Sequence, residues 1–580
     1  MDRSRAYVGL STSCRRSSIA IVNSSGEIQF AQGGERFLQR NGGSAYSETL
    51  AKLIDRYCNP ETDIVLALAT NETLLGYHAA DGDSQDIRVG NNGQDYHRSL
   101  PLVLRTVSAS TLSRRCGSEL LSHMEAAFEY ELERLRGWEN PVIDTRRYPT
   151  HLARAAAACL TGPYTEATCV VIDDSEGQSC RCYVYREGSL LEVSSSRRPK
   201  HEGSLFAFYR DICIACGFQT TLGEHWKVMA LAPRGTVDPE IHALLKPYVS
   251  ADGIGLKAAS RPEMIALYER LDSISRSAHQ SVQGAANLAR TAQELFEDTL
   301  VSLLRNIHAT GLSRNLVFTG ECALNQSANG SLLERTDFKS LYIPSAPNAD
   351  GSAVGAALLA CQDDDHVVNK NGGFQTPYLG FEFASLEFEV AAKSLNSCEV
   401  TRCTGNTAAQ AAQLLATGKT VGWISGRAEF ASRTLGSRSI LLDPRRETPI
   451  DITSSHSSAT MASFSVAILH EYGPEYFDRY QTSPYGERTL QFRLKAARKI
   501  PRALRTDGRA QVQSIRRDWN ERLYDLIFSF YSMTGVPMLI NMNYGVSGDS
   551  LPETFEEVYM TFLTCNIDAL FIGDLIIIKH

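Results

Sequence analysis

One pattern constrains the fold of this sequence more than any other: a strand–turn–strand unit occurs twice. The first unit consists of an apolar run and two further β-like runs around an Asn-Ser-Ser-Gly turn, namely Tyr7–Leu10, Ser18–Val22 and Glu27–Phe30. β-Branched runs around such a turn are typical of a hairpin. The second unit begins with Thr168–Asp173 and continues over residues 177–185 and 190–191. Two copies this far apart predict an internal duplication.

Helices and buried strands are predicted between and after these units. Apolar residues recur at helical spacing over Ser118–Arg136 and Ala285–Thr310. Asn315–Gly320 is predicted to be a buried strand that ends in a glycine turn, followed by a helix over Ala323–Leu333. A further helix should begin at Asp350–Ala357, where small residues would allow a ligand to approach the start of the helix.

Length, charge and cysteine content bound the class of protein. The chain has 580 residues, a net charge of −8 and 14 cysteines. This length predicts two domains, which we place at residues 1–365 and 366–580, with the boundary in the polar stretch Asp363–Thr376. The net charge does not favour nucleic acid or an anionic membrane as a partner. We expect no membrane span, no secretory signal, reduced thiols and a cytoplasmic location.

The second predicted domain carries two concentrations of basic residues. A helix over Thr407–Thr417 and a strand over Thr420–Ile424 precede Arg427, Glu429, Arg433 and Arg438. Three arginines and one glutamate in a loop between strands require either an anion or carboxylates from the other domain. Residues 488–517 contain ten Lys or Arg and one Asp. They form either a solvated basic face or a patch that faces phosphate.

Six segments, in order, resemble the O-carbamoyltransferases of nodulation-factor synthesis and antibiotic tailoring. They are Gly223–Pro233 (GEHWKVMALAP), Gly320–Gly330 (GECALNQSANG), Pro347–Ala357, Gly426–Arg445 (GRAEFASRTLGSRSILLDPR), Thr534–Asn541 (TGVPMLIN) and Asp568–Gly573. The resemblance implies an α/β fold: a duplicated actin-like N-terminal domain of the sugar-kinase superfold, followed by a YrdC-like α/β C-terminal domain. It also implies that the C-terminal domain makes carbamoyl-adenylate from ATP and carbamoyl phosphate, and that the N-terminal domain passes the carbamoyl group to a hydroxyl.

The same resemblance identifies candidate site residues. The catalytic candidates are Asp173, Glu224, Lys227, Asp350 and His151. The candidates for binding a nucleotide or another anion are Asn325, Arg427, Glu429, Arg433, Arg438, Ser439, Arg509 and Asn541. ATP is the expected cofactor. For Lys227 with Glu224, and for the Arg427–Arg438 group, a structural ion-pair network remains the alternative.

The sequence departs from the family pattern at the metal site. The family holds a metal with two histidines of an HHxxHA motif and one aspartate. Here the two histidine positions fall on Thr150 and Arg154, while His151 occupies the middle position and Asp350 keeps the aspartate position. We therefore expect no metal held in the family manner. The guanidinium of Arg154 could supply a fixed positive charge there but no Lewis acidity.

The phosphate-activating motifs are also altered. The stretch aligned with the family's cationic carbamoyl-phosphate motif, Ser455–Phe464, contains no Lys or Arg. Gln511 stands at a family arginine position, with Arg509 two residues away. The histidine–aspartate pair near the start of the family sequence falls on Arg15 and Arg16. Fewer cations predict weaker binding of a phosphorylated donor.

Three hypotheses follow. The first is a divergent, metal-independent carbamoyltransferase of secondary metabolism, such as antibiotic or other natural-product biosynthesis, acting on a hydroxyl or amine. The second is another ATP-dependent acyl transfer or ligation on the same fold. The third is a non-catalytic homologue that binds a metabolite or pairs with an active transferase. The partners expected are a small-molecule acceptor and carbamoyl phosphate or another acyl donor, and a homodimer is left open.

Overall fold

The computed structural model of the protein describes most of the chain. The described residues are 4–12, 17–33, 62–70, 143–173, 179–193, 201–220, 223–277, 280–368, 374–383, 398–403, 405–446, 464–545 and 554–579, with isolated positions between 53 and 58, between 122 and 134, and at 552. Contacts divide the chain into two units. The N-terminal unit contains Met1–Gln29, Phe37–Leu324 and Leu332–Gly373, and the C-terminal unit contains Phe30–Arg36, Asn325–Ser331 and Phe374–His580.

Two five-stranded sheets of the same topology form the framework of the first part of the chain. The strands are β1 (Arg5–Thr12), β2 (Ser17–Asn23), β3 (Ile28–Gly33), β4 (Asp63–Thr70), β5 (Ile143–Pro149), β6 (Glu166–Ile172), β7 (Cys180–Arg186), β8 (Ser189–Glu192), β9 (Val249–Asp252), β10 (Gly255–Ala258), β11 (Asn315–Thr319) and β12 (Ser340–Tyr342). The sheet orders are β3-β2-β1-β4-β5 and β8-β7-β6-β11-β12, and β9 pairs with β10.

The two sheets also agree in strand direction, which confirms the duplication predicted from the sequence. In the first sheet, β1 is antiparallel to β2 and parallel to β4, and β4 is parallel to β5. In the second, β6 is antiparallel to β7 and parallel to β11, and β11 is parallel to β12. Because the parallel strands are buried on both faces, they are continuous apolar runs such as Ile64–Leu68.

The helices of this part are α1 (Thr150–Leu160), α2 (Leu205–Ala215), α3 (His225–Leu231), α4 (Pro239–Leu245), α5 (Arg261–Ser273), α6 (Ala286–His308), α7 (Gln326–Asn329), α8 (Leu332–Arg335) and α9 (Ala349–Asp363). The crossing of α1 and α9 is very close: a Cβ on Gly355 would lie 1.7 Å from the carbonyl oxygen of Ala153. The small residues that open α9 therefore serve helix packing. No helix among the described residues is long and apolar enough to cross a membrane.

The helix predicted over Ala323–Leu333 is wrong as a continuous element. A 3₁₀ turn at Glu321–Leu324 precedes the short helices α7 and α8. The break falls at Gly330, where a Cβ would lie 1.9 Å from the carbonyl oxygen of Thr489. This close approach of two backbones competes with helix propagation. Most of the helix predicted over Ser118–Arg136 lies outside the described residues. Arg15, Arg16 and positions 455–463 also lie outside them.

A nine-stranded mixed sheet forms the centre of the C-terminal unit. Its strands are β14 (Cys398–Arg402), β15 (Val421–Ile424), β17 (Arg438–Leu442), β18 (Ser465–Leu469), β19 (Arg488–Gln491), β20 (Arg509–Ile515), β21 (Met538–Asn543), β22 (Ala569–Ile572) and β23 (Leu575–Lys579). The order is β14-β23-β22-β15-β17-β21-β18-β20-β19, and a separate ribbon pairs β13 (Tyr378–Glu382) with β16 (Arg427–Glu429). The helices are α10 (Thr407–Ala416), α11 (Gly473–Tyr476), α12 (Leu494–Ala497), α13 (Glu521–Thr534) and α14 (Phe555–Thr564).

The central sheet has a polar face, on which several amide and hydroxyl side chains lie beside apolar ones such as Leu441 and Leu539. Strand register places Ser439 opposite Asn543, Ser465 opposite Asn541, and Thr489 opposite Gln511. Since paired residues point to the same side of a sheet, these side chains share one face, together with Trp423 and Gln513. The residues between them, such as Ile440, Ile540 and Val512, lie in the apolar core. A buried row of amides and hydroxyls is unusual for a core and marks this face for a specific role.

Candidate functional site

In the N-terminal unit, a buried carboxylate lies just beyond the end of β6. Asp173 follows Ile172, and its Oδ1 lies 2.7 Å from Nε2 of His151. The guanidinium of Arg154 contacts Oδ2 of the same carboxylate. All three side chains are at least 95% buried. His151 and Arg154 are one turn apart on α1, so a single helix start presents both groups to Asp173.

Arg154 also reaches the start of α9. Its Nε donates to Oγ of Ser352 at 3.3 Å. Two residues earlier, the carboxylate of Asp350 accepts from Nδ2 of Asn348 at 3.1 Å, and its backbone carbonyl accepts from Oγ of Ser18 at 3.0 Å. The predicted catalytic residues His151 and Asp173 are therefore in direct contact, and Arg154 links them to Ser352, two residues beyond Asp350 on α9.

This donor set does not fit the metal that the family resemblance implies. Two of the three ligand positions are Thr150 and Arg154, and the guanidinium cannot donate a lone pair to a metal. The nearest histidine, His151, instead contacts the carboxylate of Asp173. Among the residues that the structure describes, no group of three or more His, Cys, Asp or Glu side chains is arranged to hold a metal ion.

Glu224 and Lys227 form a separate pair at the start of α3. Nζ of Lys227 donates to Oε1 of Glu224 at 2.5 Å, and Oε2 accepts from the backbone N–H of Gln219 at 2.8 Å. Nζ also lies 5.8 Å from the ring centroids of Phe218 and Trp226. The pair thus ties residues 218–219 to the helix. Both side chains keep partial exposure, 25% for Lys227 and 17% for Glu224.

In the C-terminal unit, Glu429 organises the loop of residues 430–437. Its Oε1 accepts from the backbone N–H groups of Leu435, Ser437 and Arg438 at 2.9, 2.6 and 3.2 Å, and from Oγ1 of Thr434 at 3.2 Å. A buried carboxylate that accepts this many donors fixes the course of the loop. The loop is then held on the polar face of the sheet. The backbone N–H of Thr434 donates to Asn543 at 3.1 Å, and the carbonyl of Leu435 accepts from Gln513 at 2.8 Å.

Two of the predicted anion-binding arginines bind protein carbonyl groups. Nε of Arg427 donates to the carbonyl of Gly380 at 3.1 Å. Arg438 is almost fully buried, donates to the carbonyls of Gly426 and Phe381 at 3.0 and 3.1 Å, and lies over the ring of Phe383. These contacts attach the loop segment to the β13 strand region within the same unit.

Arg433 has different surroundings. Its Nη1 donates to Oε1 of Gln511 at 3.1 Å, and its Nη2 lies 3.4 Å from Oε1 of Gln326. Asn325 places Gln326, because its side chain caps α7 by accepting from the N–H of Ala328 at 3.1 Å. Burial, and then repulsion from the charge of Arg505, lower the pKa of Arg433 to about 10. The protonated guanidinium is therefore held where a second positive charge opposes it, a typical arrangement at an anion site.

Several polar atoms in this region are buried without a hydrogen-bond partner among the described residues. They are Nε1 of Trp423, Oγ1 of Thr489, Oδ1 of Asn541, Oγ of Ser432 and Oε2 of Glu429. Three belong to the polar face of the sheet, Ser432 lies in the loop above it, and Glu429 immediately precedes that loop. A buried donor or acceptor left unsatisfied costs about 1–3 kcal/mol. Several in one region favour a ligand that supplies the missing partners.

The structure brings only part of the predicted anion-binding set together. Arg433, Ser439, Asn541 and Arg509 share the polar face or the loop above it, with Arg509 at the first position of β20. Sequence reasoning noted Gln511 only as the replacement of a family arginine, and it missed several further polar residues of this region, namely Trp423, Ser432, Thr489, Arg505, Gln513 and Asn543. The signal that could have found Gln513 and Asn543 is the alternation of amides along two apolar strands, Gln511-Val-Gln513 and Asn541-Met-Asn543.

Two family models agree with the sequence resemblance. The family model described as Carbamoyltransferase N-terminus matches residues 121–358, and the one described as Carbamoyltransferase C-terminus matches residues 412–579. A solved structure, (R)-2-hydroxyglutaryl-CoA dehydratase component A of Acidaminococcus fermentans, covers 62% of this chain and 99% of its own, with 11% identity and a TM-score of 0.32.

Two curated relatives are nodulation proteins. NolNO of Sinorhizobium fredii is 27% identical over 439 residues, which are 74% of this chain and 63% of that protein. NolO of Bradyrhizobium diazoefficiens is 28% identical over 397 residues, 66% of this chain and 70% of that protein. The chain therefore aligns with less than two thirds of the length of NolNO and with slightly more than two thirds of the length of NolO.

Proposed function

The chain belongs to the carbamoyltransferase family, and we propose that it transfers a carbamoyl group from carbamoyl phosphate, through an adenylate formed with ATP, to a hydroxyl or amine of a small natural product. Family membership indicates a transferase. The names of the nodulation proteins point to tailoring of a secondary metabolite as the setting. The proposal assigns the adenylate step to the C-terminal unit and the transfer step to the N-terminal unit.

The observation that carries the proposal is the position of Arg433. It extends from a loop fixed by Glu429 to the polar face of the sheet, where Gln511 accepts from it and Arg505 repels it. Phosphate groups are the ligands that would relieve this repulsion with charge-assisted hydrogen bonds. The buried polar atoms of Trp423 and Asn541 on the same face add neutral donors and acceptors, which suit a nucleotide and a carbamoyl amide.

Atom balance defines the two steps. Water releases inorganic phosphate from carbamoyl phosphate, an oxygen of the resulting carbamate attacks the α-phosphorus of ATP, and pyrophosphate leaves. The acceptor oxygen or nitrogen then attacks the carbamoyl carbon, the bond to the adenylate oxygen breaks, and AMP leaves with the electron pair. Arg433 and the polar face would orient the phosphates, and the polar region around Asp173 would position the reacting carbonyl.

A pyrophosphate exchange assay tests the proposal. Purified protein is incubated with ATP, magnesium and labelled pyrophosphate, with and without carbamoyl phosphate. We expect labelled ATP to form only when carbamoyl phosphate is present, and Arg433→Met to reduce its formation. Arg517→Met is the matched control, because Arg517 is 62% exposed and pairs with Asp525 at the surface. No exchange by the folded protein with any donor would contradict the proposal.

A second candidate is an acyl transfer from another donor. It is favoured by Gln511, a neutral amide on the polar face at the position where the family pattern has an arginine. A carboxylic acid would need fewer cations than a phosphorylated donor. The same assay separates the candidates, since exchange that requires a carboxylic acid and ignores carbamoyl phosphate would favour this one.

A further inference from the structure

The contact of Arg154 with Asp173 has a consequence for metal chemistry. Arg154 occupies a position where the family resemblance implies a histidine ligand, and its guanidinium is directed onto the carboxylate of Asp173. Ser352, which accepts from Nε of Arg154, is two residues from Asp350 on the same helix. A divalent ion at the position that the family resemblance implies, between residues 150 and 154 and Asp350, would therefore lie beside a permanent positive charge in a buried region, where like charges repel strongly.

The contacts of the ion pair also determine what Arg154 does for its neighbours. The two oxygens of Asp173 are engaged separately, Oδ1 with His151 at 2.7 Å and Oδ2 with Arg154. A buried carboxylate held from both sides has one orientation, and it fixes the imidazole ring in turn. Removal of one member of a buried pair leaves an uncompensated charge, so the arrangement depends on Arg154.

We infer that the N-terminal unit works without a bound transition metal, and that Arg154 is a positioning residue that holds Asp173 against His151. The role in catalysis rests on the proposed function, whereas the exclusion of the metal does not. In the transfer step, the acceptor oxygen bonds to the carbamoyl carbon, the carbon–oxygen bond to the adenylate breaks, AMP takes the electron pair and the hydroxyl proton passes to water. This balance requires no redox change and no Lewis acid.

Equilibrium dialysis against Zn²⁺, and against Fe²⁺ under anaerobic conditions, tests the first part. We expect the wild-type chain to bind neither ion above background. The double variant Thr150→His/Arg154→His restores two imidazoles beside Asp350 and should bind one Zn²⁺ per chain. Adding Asp350→Ala to the double variant should abolish that binding. Stoichiometric metal in the wild type, lost in Asp350→Ala, would overturn the inference. So would a folded double variant that binds no more zinc than the wild type.

AMP release from ATP and carbamoyl phosphate, with water as the acceptor, tests the second part. The chelator 1,10-phenanthroline, which leaves magnesium available to ATP, should not change the rate. Arg154→Met should lower the rate by about 100-fold, a typical cost of misplacing a reacting group. Arg154→Lys should recover part of it. Arg146→Met removes another arginine–aspartate pair of the same unit, at 2.8 Å, and should change stability only.

The outcomes separate the two proposals. A wild-type enzyme that chelator inactivates, or an Arg154→Met variant as fast as Arg146→Met, would refute the inference while the proposed function stands. A folded wild type with neither exchange nor AMP release would refute the proposed function, and the dialysis experiment would still decide whether the unit excludes a metal.

Discussion

Arg433→Met should weaken anion binding without lowering the stability of the free protein. Methionine keeps an unbranched, flexible side chain and removes the charge. The change deletes the donors to Gln511 and Gln326, at 3.1 and 3.4 Å, and ends the repulsion with Arg505. The polar face and the loop remain, because Glu429 and Thr434 fix the loop independently of Arg433.

The magnitude follows from the pKa of Arg433, which burial and the charge of Arg505 lower from its ordinary value to about 10. A lowered pKa means that folding disfavours the charged guanidinium. At 1.36 kcal/mol per pKa unit, this costs the folded protein about 3 kcal/mol at neutral pH. Two hydrogen bonds from the charged guanidinium offset this cost: such bonds contribute about 1.5–3 kcal/mol each, and the one to Gln326 is long, at 3.4 Å. Removing the charge should therefore leave the free energy of unfolding unchanged to within about 1 kcal/mol. A lost contact to a phosphate should weaken binding by about 1.5–3 kcal/mol.

Calorimetric titration with ATP and with carbamoyl phosphate, together with urea unfolding, measures both quantities. Arg427→Met is the matched control: its guanidinium donates to backbone carbonyls of β13, so its loss should lower stability and leave affinity unchanged. An Arg433→Met protein that is less stable than the wild type but binds both ligands equally well would refute the reasoning. Arg433 would then be one more structural arginine of the loop.

Two further predictions concern the framework. Burial alone would raise the pKa of Asp364, but hydrogen bonds from Arg5, Arg146 and Tyr7 lower it from 3.8 to about 2. Asp364→Asn should lower the free energy of unfolding by about 2 kcal/mol at pH 7. This loss relative to the wild type should shrink as the pH falls from about 4 to 2, because the wild-type carboxylate becomes protonated. A loss that stays the same at low pH would contradict the lowered pKa of Asp364. Gly355→Ala should destabilise the protein by about 1–3 kcal/mol, because the new Cβ would meet the carbonyl of Ala153. Gly284→Ala, where nothing lies within 4 Å of a Cβ, is the control, and equal melting temperatures would argue against the close crossing.

The fold of the N-terminal unit was largely predictable, because its two five-stranded sheets repeat one local pattern. Hairpins depend on residues close in sequence, so the turn at Asn23–Gly26 and the run Thr168–Asp173 were sufficient to place β1–β3 and to locate β6. The long helix α6 followed from its apolar stripe. The failure at Ala323–Leu333 has a non-local cause: the carbonyl of Thr489, more than 150 residues away, lies against Gly330. Sequence periodicity contains no information about that approach.

The candidate site was less predictable, because residue type alone does not say what a charged group contacts. Arg427, Arg433 and Arg438 look alike in the sequence, yet two of them donate to carbonyls and one to amides beside a second cation. The departure at Arg154 was visible from the motif. Its contact with Asp173 was not, since the two residues belong to different elements and meet only where α1 follows β5 beside the end of β6.

The departures from the family pattern at Arg154 and Gln511 have a similar chemical effect in the two units. In the N-terminal unit, Arg154 neutralises Asp173; in the C-terminal unit, Gln511 accepts from Arg433 where the family pattern has an arginine. In each unit, a charged group that could act on a ligand, Asp173 or Arg433, is thereby engaged by another side chain of the protein. Because hydrogen bonds to charged groups contribute about 1.5–3 kcal/mol and neutral ones about 1 kcal/mol, selectivity in this chain must come more from the placement of donors and acceptors than from net charge. Buried groups such as Trp423 and Asn541, with polar atoms that no described residue satisfies, are the ones that would supply it.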